Sequence, residues 1–78
     1  MLINSNKFLV LGVSKSGFSA SSYLLSKGAT CYIFEENDSI KIKEKKEDLI
    51  SKGAILLSND NVEETLKYVD VVIVSPGV

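Results

Sequence analysis

The stretch Leu9–Ala20, LVLGVSKSGFSA, decides how the rest of the chain is read. An apolar run ends at Gly12, polar residues follow, and a second glycine stands at Gly17. Taken as local structure, this is a strand entering a tight turn and then a helix that starts near Gly17. Backbone N–H groups at the start of a helix attract anions. Lys15 adds a positive charge there and Ser16 a hydroxyl. Against the dinucleotide fingerprint G-x-G-x-x-G, Gly12 and Gly17 fit the first and third positions, but Ser14 stands at the middle one. A glycine there lets a pyrophosphate approach the backbone closely, so Ser14 speaks against NAD. Nor is this an ATP-binding P-loop, because Lys15-Ser16 precede the glycine instead of following it. Two readings remain open. Val13 to Gly17 form a phosphate-holding turn, or the glycines serve only a tight turn and close helix–strand packing.

Working outward, apolar runs recur at Phe8 to Val13, Thr30 to Phe34, Ala54 to Ser58 and Val69 to Ser75. They are continuous rather than alternating, as expected of parallel strands covered on both faces. Helical patterns separate them. The first runs from about Gly17 to Lys27, with Phe18, Tyr23, Leu24 and Leu25 as its buried face. The second lies between Ser39 and Lys52, with Ile42, Leu49 and Ile50 on one face. The third spans Val62 to Tyr68, where Asn61 reads as an N-cap, Glu64 completes a capping box, and Leu66 and Val69 face inward. The phrase Ser-Lys-Gly-Ala occurs twice, in LLSKGATCYIF and LISKGAILLS. Gly28 and Gly53 are each expected to close a helix in the left-handed conformation, with Lys27 and Lys52 at its negative end. The alternation β-α-β-α-β-α-β implies right-handed crossovers. The fold class is therefore α/β: a Rossmann-like, three-layer α/β/α domain around a four-stranded parallel sheet, order 3-2-1-4.

The bulk properties fit one small domain. The chain has 78 residues, 45% of them apolar, and a formal net charge of −1. That balance argues against a general nucleic-acid binder. With no histidine, His-based catalysis and His metal sites are excluded. The lone Cys31 has no partner for an internal disulfide and lies inside an apolar run, where it reads as a small buried residue. The three tyrosines, Tyr23, Tyr32 and Tyr68, read as half-buried packing residues. No run reaches membrane-spanning length, and the first residues lack a basic leader. The expected location is the cytoplasm.

Two further loops carry chemistry. Glu35, Glu36 and Asn37 follow the second strand. An acidic residue about twenty positions after a glycine turn commonly binds ribose hydroxyls, and Glu35 stands near that distance. A solvated strand end before a charged helix accounts for the same residues. Ser75-Pro76-Gly77-Val78 would turn the chain at the carboxyl edge of the sheet, where ligands of open α/β sheets bind. Gly77 would bring backbone close to a ligand there, or the segment is an ordinary turn.

Together, VLGVSKSGFSASSYLLSKGATCYIFEEN and VDVVIVSPGV resemble the N-terminal domain of the Mur ligases, in particular the branch that adds D-glutamate. That family opens with a strand, a G-x-x-K-S/T-G loop, a helix ending in Lys-Gly, an acidic strand end, and later a strand ending Ser-Pro-Gly. The resemblance covers nearly the whole chain in order. This sequence departs from it at Ser14, where many members have Gly. It departs again at Glu35-Glu36-Asn37, where Asp with small polar or basic residues is common.

The resemblance implies residues 1–78 as the UDP-binding domain of a cytoplasmic ligase of peptidoglycan synthesis. The full enzyme would join D-glutamate to UDP-N-acetylmuramoyl-L-alanine through an acyl-phosphate made from ATP. Val13, Ser14, Lys15, Ser16 and Gly17 would face the diphosphate. Glu35, Glu36 and Asn37 would lie near the uridine, and Gly77 across the same cleft. ATP and magnesium would belong to a central domain, so no catalytic residue, metal or cofactor is expected within this chain. The family's first domain also has a fifth strand, so the sequence reads as an N-terminal fragment, inactive alone. Val71 to Val74 would then be an apolar edge that pairs with a second copy. Rival readings are an NAD-binding or nucleotide-sensing domain and a non-catalytic interaction module.

Overall fold

The computed structural model describes residues 6–74. Four strands, β1 (Lys7–Leu11), β2 (Thr30–Phe34), β3 (Ile55–Leu56) and β4 (Val71–Val74), alternate with α1 (Lys15–Ser26), α2 (Ile40–Ser51) and α3 (Val62–Thr65). All strand pairings are parallel and the sheet order is β3-β2-β1-β4, as expected for a Rossmann-like fold. Phe8 pairs with Cys31 on one side and Val71 on the other, and Val10 pairs with Ile33 and Ile73. Parallel partners share a face, so these six side chains form one apolar surface. Phe18, Leu24 and Leu25 of α1 and Ile42 and Leu49 of α2 pack against it. Tyr32 alternates with Cys31 and Ile33 and therefore points to the opposite face. There its ring meets the Tyr68 ring edge-on, centroids 6.1 Å apart, which puts the α3 segment on that side.

The repeated Ser-Lys-Gly-Ala phrase is one structural device used twice. Gly28 and Gly53 have φ of 81° and 109°. The Gly28 N–H donates to the Leu25 carbonyl and the Ala29 N–H to Leu24, while Gly53 donates to Ile50 and Ala54 to Leu49. This is the Schellman pattern at both helix ends. The apolar contact that accompanies it is present too. Leu24 and Ala29 belong to one buried cluster, Leu49 and Ala54 to the other.

The structure corrects several sequence expectations. β1 stops at Leu11, because Gly12 turns the chain at φ 95°. Helix α1 starts at Lys15, so Lys15 and Ser16 lie in its first turn. Its buried residues are Gly17, Ser21 and Leu24, while Tyr23 is 55% exposed. The small residues let the helix approach the sheet, and the Ser21 hydroxyl is satisfied by donating to the Gly17 carbonyl at 2.8 Å. Ile50 is 45% exposed; only Leu49 of α2 is fully buried. β3 has two residues, both exposed, because it is an edge strand and not one covered on both faces.

Helix α3 is a single turn, with Thr65 buried in place of Leu66. Asn61 does not cap it with its side chain. With ψ −2° it lacks the extended backbone of a capping residue, and its Oδ1 instead accepts from the Ser58 N–H at 2.8 Å. At the other edge, the Lys7 N–H donates to Asp70 Oδ2 and the Asp70 N–H donates to the Lys7 carbonyl, which fixes the β1–β4 register.

Candidate functional site

In an open parallel sheet, ligands bind beyond the carboxyl ends of the strands where the order reverses. Here the chain moves from β1 through β2 to β3 on one side, then returns to β4 on the other. The reversal lies between β1 and β4, and the Gly12–Gly17 turn leaves the carboxyl end of β1 at that point. Val13 is buried in the main apolar cluster and Gly17 is buried within the first turn of α1. Ser14 caps α1 in extended conformation, with φ −65° and ψ −174°, and its carbonyl accepts from Phe18 N. Lys15 and Ser16 are exposed in the first helical turn. That turn thus presents one ammonium group and one hydroxyl at the positive end of a twelve-residue helix.

The two candidate loops are joined by Glu35. Gly12 N–H donates to the Phe34 carbonyl at 2.8 Å. One residue on, the Val13 N–H donates to Glu35 Oε1, also at 2.8 Å. The other carboxylate oxygen, Oε2, accepts from the Asn37 N–H at 2.8 Å. Asn37 Oδ1 then accepts from Ser39 N–H at 2.8 Å, and Ser39 Oγ accepts from Ile42 N–H at 3.3 Å as the N-cap of α2. A relay of side-chain acceptors therefore runs from the glycine turn to the start of α2. Glu36 is exposed beside it.

From the sequence, Glu35 reads as a ribose-side residue or a solvated strand end; its bonds to the Val13 and Asn37 N–H groups and the part of Ser39 were missed. The Asn37-x-Ser39 spacing was the available signal, since both residue types accept from nearby N–H groups. Gly77 and the Ser75–Val78 turn lie outside the described residues.

Other features are structural. Burial pushes the Cys31 thiol above its ordinary pKa, with a smaller opposing effect from the Ser21 hydroxyl, so it stays protonated and inert. A shallow groove beside α3 is lined by Asp60, Glu63, Glu64, Lys67 and Tyr68, and its excess of carboxylates repels a diphosphate. Among the described residues no group of three His, Cys, Asp or Glu side chains is placed to hold a metal ion. No described helix is long and apolar enough to cross a membrane.

Comparison with known proteins gives a consistent result. The family described as "Mur ligase MurD-like, N-terminal domain" matches residues 6–78. The chain is 39% identical over 74 residues to a UDP-N-acetylmuramoylalanine–D-glutamate ligase of Lachnoclostridium phytofermentans, covering 92% of this chain and 16% of that protein. It is 36% identical over 73 residues to the ligase of the same name from Caldicellulosiruptor saccharolyticus, covering 92% and 16%. For that of Koribacter versatilis the identity is 26% over 78 residues, covering 100% and 17%. The chain thus spans about a sixth of the length of the curated relatives it matches. No solved structure gives a significant match.

Proposed function

Because the chain belongs to the MurD-like N-terminal domain family of the Mur ligases, we propose that residues 1–78 act as the UDP-binding domain of a ligase that adds D-glutamate to UDP-N-acetylmuramoyl-L-alanine. The whole protein would use ATP and magnesium, bound outside this chain, in a cytoplasmic step of peptidoglycan synthesis. The observation that carries the reading is the position of the Gly12–Gly17 turn. It stands at the carboxyl end of β1, where the strand order reverses, with the Glu35–Asn37 loop hydrogen-bonded to it. The names of the relatives support the substrate class. In this reading Val13 to Gly17 face the diphosphate, with Lys15 supplying the positive charge, and Glu35, Glu36 and Asn37 lie near the uridine; Gly77, the remaining expected contact, lies outside the described residues.

The test is titration of the chain with UDP and, separately, with NAD, followed by amide NMR. UDP is expected to move the signals of Ser14–Gly17, Glu35–Asn37 and Gly77; equal or larger shifts with NAD would overturn the reading. Lys15→Ala should weaken UDP binding about fivefold, the scale of a charge at an exposed helix N-terminus, and leave the melting curve unchanged. Unchanged affinity would remove Lys15 from the site.

Among the described residues β4 lies at an edge of the sheet, which supports self-association. Val72 and Val74 are exposed there, Val74 at 68%, beside backbone groups on the side away from β1. Light scattering is expected to show dimers at high concentration, and a strict monomer would refute the pairing.

A further inference from the structure

We propose that Glu35 is a positioning residue, whose carboxylate locks the turn after β1 and the loop after β2 into one rigid unit and steers an anion away from Val13 and towards Lys15. The proposal deepens the UDP-binding reading and rests on it for the identity of the anion. Its basis is the engagement of both carboxylate oxygens by backbone N–H groups of two separate segments, Val13 and Asn37, each at 2.8 Å. Hydrogen bonds to an ionised acceptor are stronger than neutral ones. Glu35 is half-buried, which limits their screening by water. Beside them the Gly12–Phe34 backbone bond ties the same two segments. Through Asn37 and Ser39 the constraint continues to the first turn of α2.

Two consequences follow for the ligand. The Val13 N–H is committed to Glu35 and does not serve a phosphate, so Val13 contributes burial and position rather than a donor. A phosphate that approached this end of the turn would meet the carboxylate's negative charge. The same charge leaves the Lys15 end as the favourable side. Glu35 thus orients the turn without touching the diphosphate.

The geometry also says which substitutions are informative. Only a carboxylate offers an acceptor to both N–H groups. In Glu35→Gln the amide oxygen accepts from one, and the –NH2 group faces the other, donor against donor. Glu35→Asp keeps the charge but shortens the reach, so it cannot span Val13 and Asn37 together. Charge and bracing are thereby separated.

The experiment uses the whole chain, with amide NMR and UDP titration of the parent and both variants. In Glu35→Gln the amide protons of Val13 and Asn37 should both move upfield, with accompanying shifts across Ser14–Gly17. UDP affinity should fall about tenfold, the scale of one charge-assisted hydrogen bond, while thermal unfolding stays a single cooperative transition. Glu35→Asp should show a loss of similar size despite its retained charge. Affinity within twofold of the parent in Glu35→Gln, or full recovery in Glu35→Asp, overturns the proposal. Should the parent itself give no shifts with UDP, the proposed function fails, and the brace is judged on the free chains. Joint movement of Val13, Asn37 and Ser14–Gly17 sustains it; movement confined to residues 35–37 overturns it.

Discussion

Leu49→Ala is expected to destabilise the chain by about 2–5 kcal/mol, the range for truncating a fully buried leucine. Leu49 has no exposed surface and packs in the cluster of Val10, Val13, Cys31, Ile33 and Ala54. It is the only buried side chain of α2, so the helix has no second anchor of that kind. Its carbonyl also accepts from Lys52 N and Ala54 N, at 3.0 Å each, in the motif that closes the helix. A cavity there weakens both the packing and the helix end. A domain of this size commonly has only about 4–12 kcal/mol of stability in all. The melting temperature should therefore drop by at least about 10 °C in a circular-dichroism melt. Ile50→Ala serves as the control. Ile50 is adjacent in sequence but nearly half exposed, and its loss should stay within about 1 kcal/mol. Similar losses for the two variants would show that α2 is not anchored through Leu49.

Gly12→Val should remove UDP binding and destabilise the fold by about 1–3 kcal/mol. Gly12 sits at φ 95°, a conformation that a β-branched side chain resists strongly. To relieve that strain the turn must rearrange. Both links from the turn after β1 to the β2 end, the Gly12–Phe34 backbone bond and the bond from the Val13 N–H to the Glu35 carboxylate, depend on its present shape. The substitution therefore strikes the brace and the start of α1 together. Gly12→Ala, which carries the strain without the branched bulk, should lie between the parent and Gly12→Val in both stability and affinity. Lys15→Ala gives the opposite signature, a modest loss of affinity with no change in melting. Calorimetric or NMR titration checks the first property and thermal unfolding the second. If Gly12→Val binds UDP as tightly as the parent, the turn is not part of the ligand site.

Several features were legible from the chain because they depend on neighbours in sequence. The bounds of β2, the two Ser-Lys-Gly-Ala helix closures, and the order β-α-β-α-β-α-β rest on local signals. A continuous apolar run, a glycine after a helix and an alternation of periods each carry their meaning within a few residues. Chirality of the crossovers then leaves few sheet orders, and 3-2-1-4 is the one adopted. The Gly12–Gly17 turn, and an acidic residue about twenty positions after it, were visible for the same reason.

What the sequence could not fix was which side of each element meets a neighbour. Tyr23, Ile50 and Leu66 are apolar or aromatic, yet they face outward, while Ser21 and Thr65 are buried. Close approach of α1 to the sheet favours small residues, and each buried hydroxyl is satisfied by a carbonyl four residues back, Ser21 by Gly17 and Thr65 by Asn61. Hydrophobicity alone cannot foresee that exchange, because it depends on the distance between elements and on the roll of each helix. Glu35 makes the same point at the candidate site. Its spacing from the glycine turn suggested a ribose contact, but only the parallel pairing of β1 with β2 brings its carboxylate within 2.8 Å of the Val13 N–H, twenty-two residues earlier in the chain.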